Sequence, residues 1–193
     1  MPNELLDELV AEVRDCRKCR LWKQAKNPVP GEGKTEARLM LIGEAPGYQE
    51  DVKGRPFVGR AGKLLDSLLS GIGFGREDVY ITNIVKHRPP ENRAPKEDEI
   101  RACAPYLDRQ IRIINPKIIV TLGNHSTGYI LSKINVNVRG ITEVRGKIFE
   151  GELLFGVPSK IMPTFHPAAA LYNPAYLSSL KEDFRIIGKE LGL

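Results

Sequence analysis

An apolar run leads directly into a glycine-rich loop, and this junction restricts the fold more than any other part of the chain. The run spans residues 39–42, the loop spans residues 43–62 with five glycines, and leucines at helical spacing follow from Leu64 to Leu69. A fully covered strand, a glycine-rich loop and a helix form the arrangement that places a ligand at the carboxyl end of a parallel strand. We therefore expect a ligand site in this loop.

Three further short runs have the composition of strands, and stretches with helical periodicity separate them. The runs cover residues 79–85, 118–122 and 161–164, although Pro163 is unusual inside a strand. This alternation predicts an α/β fold, a three-layer α/β/α sandwich around a mainly parallel four-stranded sheet. Residues 141–157 alternate in polarity and contain three glycines, so we expect a β-hairpin excursion there.

Polar and aromatic residues lie in the loops that follow the first, second and fourth predicted strands. Because the carboxyl ends of parallel strands share one edge of the sheet, these loops should converge on one crevice. The expected convergence brings together Glu44, Glu50, Phe57, Asn83 and His166.

The composition is that of a globular protein with a modest positive charge. The length of 193 residues favours a single domain spanning residues 1–193. A net charge of +5 permits a nucleic-acid partner without requiring one. No run approaches the roughly 18 apolar residues of a membrane span, and the N-terminus lacks the pattern of a secretion signal. We therefore expect a cytoplasmic protein without a membrane partner.

Four short motifs occur in order along the chain. They are Gly-Glu-Ala-Pro-Gly at residues 43–47 with Glu50 and Asp51 behind it, Gly-Arg-Pro-Phe-Val-Gly at 54–59, Thr-Asn at 82–83, and His-Pro-Ala-Ala-Ala-Leu at 166–171. Together they resemble the motifs of the family 4 uracil-DNA glycosylases, the iron–sulfur branch of the uracil-DNA glycosylase superfamily. The resemblance implies a monofunctional enzyme of base excision repair that flips uracil out of DNA and hydrolyses the N-glycosidic bond, leaving an abasic site. The expected partners are uracil-containing DNA and free uracil as product, and the expected state is a monomer.

The resemblance also implies a role for each residue of the crevice. Phe57 would stack on the flipped uracil, and Asn83 would pair with the edge of the base. His166 would stabilise the negative charge that develops on the uracil oxygen. Glu44 would orient or activate the attacking water, and Glu50 would close the pocket against the methyl group of thymine. The other residues of the implied substrate site are Gly43, Ala45 and Gly47.

Each of these residues has a purely structural alternative. For Phe57 the alternative is an ordinary core residue, for Asn83 it is a turn residue at a strand end, and for His166 it is a packed or capping histidine. Glu44 and Glu50 have the alternative of capping a helix N-terminus, where negative charge is favourable. The sequence alone leaves these alternatives open, including which residue activates the water.

The resemblance further implies contacts with the DNA around the flipped nucleotide. Leu171, helped by Tyr172, would fill the gap that the base leaves in the stack. Arg88 and Arg93, in the basic loop after the second strand, would face phosphates. The structural alternatives are core packing beside a helix for Leu171 and a solvated surface for the arginines.

Three cysteines and one histidine resemble a cluster-ligand set. Cys16 and Cys19 form a C-x2-C pair, and together with Cys103 they resemble three of the four ligands of the family's [4Fe-4S] cluster. His87 stands at the fourth position, which is usually cysteine in the family, and histidine also ligates iron in some clusters. We expect a Cys3His [4Fe-4S] site. The alternatives are a Cys3His zinc site and a histidine that binds nothing, with the cluster lost or held by three ligands.

Other functions are compatible with parts of this pattern. A related branch, which bonds covalently to its product site, also has histidine at the position of His87, but it has glutamine where this chain has Ala45 and a longer arginine-rich loop. We therefore expect an enzyme that turns over. The main alternative is a nucleic-acid-binding protein with a structural iron–sulfur or zinc site and no turnover. A nucleotide triphosphatase is disfavoured because no Gly-Lys-Ser/Thr follows the glycine-rich loop.

Overall fold

The computed structural model describes residues 1–153 and 157–193, with only the backbone described at 157–159. The α-helices of these residues are α1 (Pro2–Arg14), α2 (Tyr48–Lys53), α3 (Arg60–Ser70), α4 (Glu97–Ile114), α5 (Asn124–Ser132), α6 (Ile141–Val144), α7 (Pro167–Tyr172) and α8 (Ala175–Glu190). The strands are β1 (Glu32–Gly33), β2 (Leu39–Gly43), β3 (Tyr80–Asn83), β4 (Ile118–Leu122), β5 (Phe149–Leu153) and β6 (Val157–Thr164). In these described parts of the chain, every helix is too short or too polar to cross a bilayer.

The strands of the described residues form one sheet in the order β1-β3-β2-β4-β6-β5. Strands β3, β2, β4 and β6 run parallel, as the sequence predicted, while β1 and β5 are antiparallel strands at the two edges. The predicted count of four strands is therefore corrected to six. Strand β1 has only two residues, too few to leave a periodic signal in the sequence.

The predicted excursion at residues 141–157 is also corrected. Its first residues form the short helix α6, and β5 pairs with β6, so the hairpin extends the main sheet instead of leaving it. Residues 154–156 of the predicted hairpin lie outside the described residues. Pro163 is accommodated because it lies beyond the last pair of the β5–β6 ladder, Phe149 with Ile161, and faces Thr121 of β4 on its other side.

Both faces of the sheet are covered, which confirms the three-layer sandwich. Met40 and Ile42 of β2 pack into one apolar layer together with residues of α1, α4 and α5. Leu39 and Leu41 pack into the other layer with residues of α3 and α8. Successive side chains of a strand point to opposite faces, so a continuous apolar run is what a doubly covered strand requires.

The carboxyl ends of the parallel strands lie along one edge of the sheet. Gly43 at the end of β2 pairs with Asn83 at the end of β3, and Leu122 at the end of β4 pairs with Thr164 at the end of β6. The loops after all of these strands therefore open on the same side. The loop after β4 was not among the three that the sequence assigned to the crevice.

A buried carboxylate of α8 anchors the end of β6, two residues before the predicted site histidine. Asp183 is fully buried and accepts hydrogen bonds from Thr164 Oγ1 at 2.5 Å and Arg145 Nη2 at 2.5 Å. Arg145 also donates to the carbonyl of Ser179 at 3.1 Å. These contacts join β6, α8 and the end of α6 behind the sheet edge.

Replacement of this carboxylate should destabilise the fold. We expect Asp183→Ala to lower the free energy of unfolding by about 3 kcal/mol, because it leaves a largely buried guanidinium without its partner. Urea denaturation of the two proteins measures the difference. Glu182→Ala, at the exposed neighbouring position, is the control and should change stability by less than about 0.5 kcal/mol. Equal losses in the two variants would contradict the anchoring role of Asp183.

Candidate active site

A cavity of about 380 Å³ opens at the carboxyl edge of the sheet. It is lined by Glu44, Ala45, Pro46, Gly47, Glu50, Phe57, Ala61, Asn83, Pro89, Asn92, Arg93, His166 and Ala168. The structure thus brings together all five residues that the sequence placed in one crevice. A cavity of this size accommodates a small planar molecule such as a nucleobase.

Two rings form one wall of the cavity. Phe57 and His166 stack with their ring centroids 5.5 Å apart and an angle of 28° between the planes. Phe57 is buried and has a φ of +49°, a left-handed conformation that bulky residues rarely adopt. Gly62, in the first turn of α3, permits this conformation because a Cβ atom there would overlap the carbonyl of Phe57. Arg76 Nη1 donates to the same carbonyl at 2.9 Å and holds the loop in place.

The amide of Asn83 is buried and incompletely paired. Its side chain is 2% exposed, and among the described residues its Oδ1 is a buried oxygen without a hydrogen-bond partner. Leaving such an acceptor unpaired costs about 1–3 kcal/mol, so a ligand that donates to it would recover that cost. Gly43 lies behind the amide, where a Cβ atom would overlap Asn83 Oδ1 and approach Phe57 Cζ to 2.7 Å. Gly43 therefore supports the cavity wall without being one of its lining residues.

A fully buried lysine holds the backbone of this asparagine. Lys86 Nζ donates at 2.7 Å to the carbonyl of Asn83, and at the same distance to Thr82 Oγ1 and Gln110 Oε1. Burial lowers the pKa of Lys86 to about 7. Gln110 in turn donates to the carbonyl of Pro30 at 2.7 Å, so the network ties β3 to α4 and to the N-terminal loop.

His166 is a neutral hydrogen-bond donor. Its Nδ1 accepts from the backbone N–H of Ala168 at 3.1 Å, as the cap of α7, which leaves the ring proton on Nε2. Burial lowers the pKa of His166 to about 4, although the nearby charge of Glu50 opposes the shift. Gly123 permits the close approach of His166, because a Cβ atom at Gly123 would lie 3.2 Å from the His166 Cβ.

Glu50 lines the cavity and also caps a helix. Its Oε1 accepts from the backbone N–H groups of Val58 at 2.8 Å and Gly59 at 2.9 Å, at the start of α3. Glu50 therefore caps α3, which is the structural alternative that the sequence left open for it. The negative charge is favourable at a helix N-terminus. Its Oε2 lies against Gly47, where a Cβ atom would approach it to 2.8 Å. The carboxylate is therefore fixed beside the cavity.

Glu44 has a side-chain partner that no sequence pattern indicated. Its Oε2 forms a short hydrogen bond with Nδ1 of His125, which lies in the first turn of α5. The Glu44 side chain is 29% exposed and that of His125 is 53% exposed. The contact shows that the loop after β4 belongs to this edge of the sheet together with the loops after β2, β3 and β6.

Three of the four predicted DNA-contact residues lie outside the lining of the cavity. Leu171 is 36% exposed and Tyr172 is 89% exposed, both at the end of α7. Arg88 lies outside the cavity lining, with its guanidinium 5.2 Å from the centre of the Tyr48 ring, and Lys26 Nζ is 5.4 Å from the same ring. Among the described side chains, neither cation forms an ion pair with a carboxylate.

Arg93 has a different environment from Arg88. It lines the cavity, and its two terminal nitrogens donate to the buried carboxylate of Glu99 at 2.8 and 2.6 Å. These bonds hold the pKa of Glu99 below its usual range. A bidentate pair fixes the guanidinium and leaves its remaining donors for a second anion.

The predicted metal ligands lie close to one another. Cys16 and His87 line a small pocket of about 170 Å³, and Cys103 accepts a hydrogen bond from the backbone N–H of Lys86 at 3.2 Å. Burial raises the pKa of Cys103 to about 11 and also raises that of Cys19. Within residues 1–153 and 157–193, no three of the His, Cys, Asp and Glu side chains are arranged to hold one metal ion.

Asp51 links this region to the cavity loops. It is buried and accepts from the backbone N–H groups of Lys26 at 2.8 Å and Asn27 at 3.2 Å. Asn27 Nδ2 donates to the carbonyl of Asp51 at 2.8 Å. The segment that follows the C-x2-C pair is therefore fixed to α2, whose N-terminus borders the cavity.

Comparison with known proteins identifies the family. The sequence model of the uracil DNA glycosylase superfamily matches residues 30–187. A type-4 uracil-DNA glycosylase of Saccharolobus solfataricus is 56% identical over 187 residues, covering 96% of this chain and 86% of that protein. Those of Archaeoglobus fulgidus and Thermotoga maritima are 46% and 47% identical, covering 98% and 89% of this chain and 94% and 86% of those proteins. The chain belongs to the uracil-DNA glycosylase superfamily and, within it, to the type-4 uracil-DNA glycosylases.

Proposed function

We propose that the cavity at the carboxyl edge of the sheet binds a uracil flipped out of DNA and hydrolyses its bond to deoxyribose. The single observation that carries this proposal is the stacked pair of Phe57 and His166 beside Asn83 Oδ1, a buried acceptor that has no partner among the described residues. Flipping costs a few kcal/mol, which the pocket must recover by stacking and hydrogen bonding. Because one chain supplies the whole cavity, we further propose that the enzyme acts as a monomer.

In this proposal, the amide of Asn83 distinguishes uracil from cytosine. Its Oδ1 accepts from the N3–H of uracil, and its Nδ2 donates to the uracil O4. Cytosine presents a lone pair at N3 and an amino group at C4, so both contacts would be reversed and the buried amide would stay unpaired. Phe57 stacks on the base, and the fixed carboxylate of Glu50 with Gly47 closes the pocket against the methyl group of thymine.

The neutral imidazole of His166 stabilises the leaving group. As the glycosidic bond breaks, its electron pair stays with uracil, and His166 Nε2–H donates to the uracil O2, on which negative charge develops. The carboxylate of Glu44 orients a water molecule on the sugar face and takes its proton as the water oxygen bonds to C1′. The products are free uracil and an abasic site.

An oligonucleotide assay tests this function directly. We expect the protein to release uracil from strands that contain it opposite guanine, opposite adenine and in single-stranded form, which alkali then cleaves at the abasic site. His166→Ala should lower turnover by at least about 10², the usual loss on removing one electrostatic stabiliser, while DNA binding is largely kept. Arg185→Ala, an exposed substitution on α8, is the matched control.

Two results would contradict these assignments. A wild-type protein that binds uracil-containing DNA but never releases the base would support the nucleic-acid-binding alternative without turnover. Turnover of the His166→Ala variant within about threefold of wild type would remove the imidazole from the mechanism, since one electrostatic stabiliser is worth far more.

We also propose that Cys16, Cys19, Cys103 and His87 hold a [4Fe-4S] cluster. Support comes from Cys16 and His87, which line one small pocket, and from Cys103, whose Sγ accepts from the backbone N–H of the residue before His87. When bound, the cluster would cross-link the N-terminal segment, the loop after β3 and α4. No step of the proposed reaction uses it.

The cluster proposal predicts brown protein with iron and acid-labile sulfide. We expect His87→Ala to lower the iron content and visible absorbance of the purified protein, and His87→Cys to retain both, because thiolate is the usual ligand. Iron and sulfide analysis with absorbance spectra measures this. Colourless protein that holds stoichiometric zinc would instead support the Cys3His zinc alternative.

We propose that DNA crosses the surface beside the cavity, where Lys26 and Arg88 flank Tyr48. Both cations lie on the aromatic ring without a carboxylate partner among the described residues, so they are available to phosphates. Leu171 and Tyr172, exposed at the end of α7, would enter the gap left by the flipped base.

The phosphate contacts should appear in the salt dependence of binding. We expect Lys26→Gln and Arg88→Gln each to reduce the slope of log K against log salt concentration by about 1, as for loss of one phosphate contact. Fluorescence anisotropy with a uracil-containing duplex measures the slopes. Lys189→Gln, at an exposed position in the last turn of α8, is the control. Equal slopes in all of these proteins would exclude this surface as the DNA path.

A further inference from the structure

His125 is the side chain that meets the carboxylate of Glu44, and the proposed reaction has so far given it no role. Its Nδ1 forms a short hydrogen bond with Glu44 Oε2. Glu44 follows β2 and His125 follows β4, so the contact joins two of the loops at the carboxyl edge. Among the described residues, the Glu44 side chain makes no other hydrogen bond.

We propose that His125 is a positioning residue for uracil excision. Its Nδ1–H donates to Glu44 Oε2, which fixes the carboxylate in one orientation and leaves Oε1 directed at the attacking water. This inference rests on the proposed function, in which Glu44 orients that water. His125 itself touches neither the uracil nor the sugar in this account.

The carboxylate needs such a partner because the described structure gives its side chain no other hydrogen bond. Glu44 is partly exposed at the cavity mouth, and a free glutamate side chain samples several rotamers. Holding it in the reactive rotamer before the substrate arrives removes that entropy cost from the reaction. Stability does not explain the pair, because a side-chain pair with this exposure contributes at most about 1 kcal/mol even when both members are charged.

The backbone that carries His125 is itself well anchored. Ser126 Oγ donates to the carbonyl of Leu122 at 2.9 Å, and Asn124 Oδ1 accepts from the backbone N–H of Ile141 at 2.8 Å. Gly123, immediately before α5, packs on His166. The imidazole thus projects from a fixed helix start that also supports the leaving-group histidine.

The proton balance of the step is simple. Water donates one proton to Glu44 Oε1 as its oxygen bonds to C1′, and His125 keeps its own proton on Nδ1. The carboxylate becomes a carboxylic acid, and uracil leaves with the electron pair of the broken bond. Glu44 then returns its proton to solvent, to which the half-exposed pair is open.

Kinetics of two His125 variants test the proposal. We expect His125→Ala to lower kcat about tenfold, equivalent to about 1.4 kcal/mol, with KM changed less than about twofold. His125→Asn should recover most of the rate, because its side-chain N–H can replace the Nδ1–H donor. Ser132→Ala, on the exposed end of the same helix, is the control and should match wild type. Unchanged salt dependence of DNA binding would distinguish positioning from a phosphate contact.

A double-mutant cycle decides whether His125 acts through Glu44. We expect His125→Ala to cost nothing further in a Glu44→Gln background, since the carboxylate that it positions is then absent. Additive losses would overturn the proposal, as would a kcat of His125→Ala equal to that of wild type. Normal turnover of Glu44→Gln alone would overturn it as well, while leaving uracil excision intact. Failure of the wild type to release uracil would instead be a failure of the proposed function.

Discussion

The parallel pairing of Gly43 with Asn83 is the contact on which the cavity depends. It aligns the ends of β2 and β3, so the glycine-rich loop and the asparagine leave the sheet side by side. Only glycine fits at this point, because any side chain would occupy the space of the Asn83 amide and the Phe57 ring. The backbone register therefore places Asn83 and Phe57, the residues proposed to pair with the base and to stack on it, against the same glycine.

The same edge also sets the charge state of the site. His166 is buried and accepts a backbone hydrogen bond at Nδ1. Burial lowers its pKa far below the ordinary value of histidine, so the ring remains neutral and donates from Nε2. Asn83 contributes a buried oxygen that has no partner in the described parts of the chain, and Arg76 helps to keep Phe57 in a strained conformation. Such groups are arranged before the substrate arrives, and fixed dipoles of this kind are more effective than mobile water at stabilising developing charge.

The sequence predicted the four parallel strands and the five crevice residues because their signals are local. A continuous apolar run marks a doubly covered strand, and a polar residue after it marks the functional edge. The edge strand β1 has no such signal, and β5 acquires its place only by pairing with β6. His125 and Arg76 could not be predicted either, since their partners lie 81 and 19 residues away in the chain.

Lys86 connects the proposed cluster site to Asn83, the residue proposed to pair with the base, through hydrogen bonds. Its backbone N–H donates to Cys103 Sγ, and its side-chain amine donates to the carbonyl of Asn83. A displacement of the Cys103 region would therefore move the strand end that carries the amide. A cluster bound as proposed would therefore act structurally and not chemically. Through these contacts it would stabilise the position of Asn83 that the proposed uracil recognition requires.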